Sequence, residues 1–83
     1  MYNRELVIDA VSDAIIEAMV QGDGRTRCYG AKALGAMKTQ NGVHPLMEYL
    51  NDGDPDVRCD AAAALGLIGD RESVPLLIRL LED

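Results

Sequence analysis

The sequence predicts an all-α fold, a short α-α superhelix of five helices in which one leading helix precedes two helical hairpins. Three observations carry this expectation. Residues 22–52 and 53–83 align at a shift of 31 positions without a gap. Gly22, Asp23, Arg27, Cys28, Ala31, Ala33, Leu34, Gly35, Val43, Leu46, Leu50 and Asp52 fall on Gly53, Asp54, Arg58, Cys59, Ala62, Ala64, Leu65, Gly66, Val74, Leu77, Leu81 and Asp83. Apolar residues recur at helical spacing, and no stretch carries a strand signal. The apolar content is aliphatic, with no Phe, no Trp and three Tyr, which suits small, closely spaced helices. A period of this length marks a solenoid, in which each unit buries its apolar face on its neighbours.

Residues 1–21 read as the second half of an earlier unit. Ile15, Ile16 and Met19 stand where Leu46, Met47 and Leu50 stand one period later. One helix over about 4–20 covers this half repeat. Repeat 1, residues 22–52, is expected to hold helices near 25–37 and 43–51. The first of these should be softer than its counterpart. Gly30 stands in it where Ala61 stands in the next repeat, and glycine inside a helix costs about 1 kcal/mol relative to alanine. Gly24 replaces Pro55, and Lys38-Thr39 replaces Gly69-Asp70.

Repeat 2, residues 53–83, is the clearer copy. Asp54 can cap free amides, Pro55 suits the first helical position, and Asp56 favours the positive end of the dipole. The helix should then run from Val57 to about Ile68. Val57, Ala61, Ala64, Leu65 and Ile68 form one stripe, and Ala62, Ala63 and Gly66 keep the other sides thin. Gly69 ends the helix as glycine usually does. After a turn at 70–73, a last helix over about 74–82 places Val74, Leu77, Ile78 and Leu81 inward. Pro75 sits in its first turn, where no amide partner is missed. The 83 residues make a single domain.

Composition excludes several function classes. The net charge of −6 opposes a sequence-independent grip on nucleic acid, which depends on Lys and Arg displacing counterions. The basic residues are scattered. No apolar run approaches the length of a membrane span. Two cysteines without a signal peptide fit a reducing compartment, so a cytoplasmic location is expected. Acidity favours solubility and a basic partner.

Asp54-Pro55-Asp56-Val57-Arg58, Ala61-Ala62, Ala64-Leu65-Gly66, Ile68-Gly69-Asp70, and Val74-Pro75 with Leu77, Ile78, Leu81 and Asp83 together resemble the HEAT-like repeats of the phycobilisome (bilin) lyase type. The resemblance covers nearly all of residues 53–83 and, less strictly, 22–52. It implies a structural role for Arg27 and Arg58, each pairing with an aspartate at a repeat junction. Asp23, Asp54 and Asp70 are the candidate partners. A bilin lyase subunit or relative, acting on phycobiliproteins, is the functional alternative that the resemblance raises.

The chemistry-bearing residues favour no catalysis. HEAT-like hydroxylases hold iron on His-Glu pairs, whereas the single histidine here, His44, precedes Pro45; one imidazole builds no such site. HEAT-like DNA glycosylases need a basic groove and aromatic residues around an extruded base, and this chain has neither. Cys28 and Cys59 lie one repeat apart on neighbouring helix axes, about 10 Å from each other, too far for a disulfide. They read as small fillers between helices. No cofactor and no metal are expected.

The expected role is therefore a non-catalytic protein-protein interaction module or scaffold. The second helix of each unit usually lines the concave side of a solenoid, and the 31-residue shift aligns its exposed positions in ladders. Asp13, His44 and Pro75 form one ladder; Glu17, Glu48 and Arg79 form another. Ala18, Tyr49 and Leu80 make a third, with Tyr49 as a candidate aromatic anchor. The expected contact residues are thus Asp13, Glu17, His44, Glu48, Tyr49 and Arg79. Leu76 and Leu80 lie off the inner stripe of the last helix, so a homo-oligomer joined through the last hairpin is a further alternative.

Overall fold

The computed structural model describes residues 3–69 and position 79. Four α-helices run in order: α1 (Arg4–Gln21), α2 (Gly24–Met37), α3 (Val43–Tyr49) and α4 (Pro55–Ile68). A 3-10 turn (Gln40–Gly42) leads into α3. No strand occurs among the described residues. Of the expected fifth helix, position 79 is helical; the remainder of 74–82 lies outside the described residues.

Each long helix starts and stops for local reasons. Asp23 Oδ1 accepts from the Thr26 N–H at 3.0 Å and caps α2. Asp54 Oδ1 accepts from the Asp56 N–H at 2.9 Å and caps α4, with Pro55 as its first residue. Gly69 closes α4 in the left-handed region at φ 75°, its N–H donating to Leu65 O at 3.0 Å. Lys38 closes α2 the same way at φ 53°, although a side chain is strained there.

Packing repeats as the sequence repeats. α1 packs against α2, α3 packs against α4, and α2 packs against α4. The shared core is Met19, Ala31, Leu34, Val43, Leu46, Leu50, Ala61, Ala64 and Leu65. Val57 is also fully buried, and Ile68 packs against the cluster from its edge. Ser12, buried where the next repeat has Val43, satisfies its hydroxyl by donating to Asp9 O at 3.0 Å.

Two glycines behave differently from the sequence expectation. Gly30 has a packing role in α2. A Cβ there would strike Met19 Cγ and Sδ, so the missing side chain is the space that Met19 fills. Repeat 2 solves the equivalent junction with Leu50 and Ala61, a branched residue beside a larger one. The close helix approach expected at Gly66 occurs instead at Gly35, where a Cβ would lie 2.8 Å from Ala64 Cα. Gly66 is exposed and touches no described atom within 4 Å.

Candidate interaction surface

Helical spacing sets Asp13 and Glu17 one turn apart on α1, and His44 and Glu48 one turn apart on α3. All four are exposed, and Arg79, the next rung after Glu17 and Glu48, is helical and exposed. Glu17 accepts from Gln21 Nε2 at 3.3 Å. None of Asp13, Glu17 and Glu48 is ion-paired to another described residue. The exposed sides of α1 and α3 therefore each carry carboxylates with no ion-pair partner among the described residues.

Tyr49 sits differently. It is half-buried and packs against the core cluster. Burial raises its hydroxyl above the usual tyrosine range, against the opposing pull of the Arg27 guanidinium. It offers a rim to a partner rather than a free ring. Among the described residues the freely exposed aromatic is Tyr29 on α2, 63% exposed, with Lys32 Nζ 5.9 Å from its ring centroid. Tyr29 has no aromatic counterpart at Asp60, so the repeat alignment gave no signal for it. Leu76 and Leu80 lie outside the described residues.

The repeat junction corrects the expected arginine pairing. Arg27 Nε lies 2.9 Å from Asp52 Oδ2 and forms no ion pair with Asp23 or Asp54; Asp70 lies outside the described residues. Its N–H is not aimed along that line, so the contact is coulombic rather than a linear hydrogen bond. Arg27 Nη1 also donates to Gly22 O at 3.0 Å. Arg58 Nη1 reaches the backbone carbonyl of Asp52 at 2.6 Å, and no carboxylate among the described residues pairs with it. Asp52 Oδ1 accepts from the Asp54 N–H at 2.9 Å. One aspartate thus ties α2, the inter-repeat turn and the start of α4 together. The signal was present in the repeat itself, since Asp52 and Asp83 are an identical pair at the last position of each unit. Asp54 keeps its structural role as the cap of α4.

Between α2 and α4 lies an open groove of about 440 Å³, lined by Gly24, Arg25, Cys28, Tyr29, Lys32, Asp54, Asp56, Cys59 and Asp60. Lys32 Nζ stands 3.9 Å from Asp60 across it. Both cysteines are free; Cys28 is half-buried and Cys59 exposed, so Cys59 is not the interior filler that was expected. Burial pushes the Cys28 thiol above its ordinary value, reinforced by a hydrogen bond to Asp60 and by the charges of Asp54 and Asp56. That holds the sulfur protonated and blunts its nucleophilicity. Among the described residues no three His, Cys, Asp or Glu side chains are grouped to hold a metal ion. No helix among them is long and apolar enough to cross a membrane.

A family model described as HEAT repeats matches residues 12–83. Its description carries no lyase designation. No curated protein and no solved structure matches the chain.

Proposed function

The chain belongs to the HEAT repeat family, and from that premise we propose that it is a non-catalytic binding module whose acidic helix edge holds a basic segment of another protein. HEAT repeats generally mediate protein-protein contact, using the extended surface that stacked helices create. The observation that carries the proposal is three carboxylates, Asp13 and Glu17 on α1 and Glu48 on α3, all exposed and without an ion-pair partner among the described residues. The net charge of −6 adds a long-range attraction that speeds encounter with a cationic surface. His44 sits one turn before Glu48, and the rim of Tyr49 gives the edge an apolar margin.

The test is quantitative capture of partners from a native lysate by the wild-type chain and by a D13N/E17Q/E48Q variant. All three positions are exposed, so the variant keeps its fold. Capture should fall in the variant, and wild-type capture should weaken as salt rises. Undiminished capture by the variant would remove the acidic edge from consideration.

A further inference from the structure

The 31-residue repeat lets one junction of the molecule be read against the other. α4 packs on both α2 and α3, and the seam of α3 and α4 is the filled seat of the repeat. Leu46, Leu50, Val57, Ala61 and Ala64 in that seat are all buried. One period earlier the same positions are Ile15, Met19, Thr26, Gly30 and Ala33, and with Ala18 and Tyr29 they line an open groove of about 260 Å³ between α1 and α2. Met19 and Gly30 are buried like Leu50 and Ala61, and the difference lies at the other positions. Ile15, Thr26 and Ala33 are only half-buried where Leu46, Val57 and Ala64 are buried, and Ala18 is exposed where Tyr49 packs on the core. Val11, one and two turns before Ala14 and Ala18 on the same side of α1, is 45% exposed.

The geometry points to this groove as a docking seat for one amphipathic helix of a partner protein, bearing the small-Leu-Gly face that α2 turns to α4. The filled seat supplies the chemistry of the occupant. Gly35 of α2 comes within 2.8 Å, at its Cβ position, of Ala64 Cα. A helix meeting Ala33 in the same way must carry glycine there, with leucine one position before it as Leu34 precedes Gly35. Of the polar differences between the two seats, one bears on the occupant's first turn. Gln21 stands where Asp52 holds Arg27, so the vacant seat offers no carboxylate at that point to an arginine in the occupant's first turn. This surface is separate from the acidic rungs, and the inference stands or falls without them.

A synthetic peptide with the sequence of residues 23–38, its cysteine replaced by serine, is the probe. Titrated into the full-length chain, it should bind saturably. Ala18→Arg, an exposed change at the centre of the groove, should weaken binding at least about tenfold, whereas Leu67→Arg on α4 should leave it unchanged. Gln21→Asp should tighten binding of this arginine-containing peptide and leave a version with that arginine replaced by alanine unaffected. Absence of saturable binding, or binding indifferent to Ala18→Arg, would overturn the inference; absence of any gain in Gln21→Asp would overturn the α2-like register. Sedimentation of the chain alone gives a further outcome. A dimer dissolved by Ala18→Arg would mean that a second copy occupies the seat, which would overturn the external partner.

Discussion

Glycines at matching repeat positions carry opposite meanings, and only their neighbours decide which. Gly35 lies under Ala64 of α4, with its Cβ position 2.8 Å from backbone. Backbone cannot step aside as a side-chain end can, so Gly35→Ala should separate α2 from α4 and cost about 2–3 kcal/mol, in the range of overpacked cores. Gly66, its repeat mate, is exposed and meets no described atom within 4 Å. Gly66→Ala should stabilise the protein by about 1 kcal/mol, the helix propensity difference alone. Denaturant unfolding of the two variants checks both signs. A destabilised Gly66→Ala would show that the exposed side of α4 is a packing surface after all.

The elements owe their ends to single residues, and these can be weighed separately. α2 ends on Lys38 at φ 53°, while α4 ends on Gly69 at φ 75°. Lys38→Gly should relieve the left-handed strain and gain up to about 1 kcal/mol, less the extra chain entropy that glycine loses on folding. Thermal unfolding would read it as a raised Tm. The opposite end of α2 is pH-dependent. The Thr26 N–H and hydroxyl donate to Asp23 and hold its carboxyl below the usual value of 3.8. A depressed folded value means that the cap's contribution is complete above the unfolded value and is lost as pH falls through the folded one. Asp23→Asn keeps the acceptor but removes the charge. Its unfolding free energy should therefore depend less steeply on pH below about 4 than the wild type's. Equal slopes in the two proteins would dismiss the cap as a titrating contributor.

At the scale of the whole molecule, Asp52 is where the repeats are coupled. Its carboxylate meets Arg27 and the Asp54 N–H, and its carbonyl meets Arg58. The side chains of Arg27 and Asp52 keep 24% and 12% of their exposure, so the pair is worth less than a fully buried one. Asp52→Ala should cost about 2 kcal/mol, under the roughly 3–5 typical of broken buried pairs. Asp52→Asn, which still accepts from Asp54, should cost less than Asp52→Ala. Chemical denaturation of both variants tests the order; equal losses would assign the whole effect to the charge.

The repeat identities alone determined that the chain is helical, where α1, α2, α3 and α4 begin and end to within a few residues, and which face of α4 is buried. Caps, periodic apolar positions and a left-handed glycine act over one or two turns, so they are written locally. The exposure of Asp13, Glu17, His44 and Glu48 was legible for the same reason, since a helix fixes which of its side chains share a face. What the tertiary structure decided was which copies touch. Arg27 could have met any of several aspartates, and Asp52 wins because the chain turns back there beside α2. The space that Gly30 leaves for Met19 is set by how α1 meets α2, and Tyr29 had no repeat partner to mark it. The open groove between α1 and α2 is likewise invisible to periodicity: equivalent residues differ in burial because α2 lies against α4, while no described helix lies against α1 and α2 in the same place.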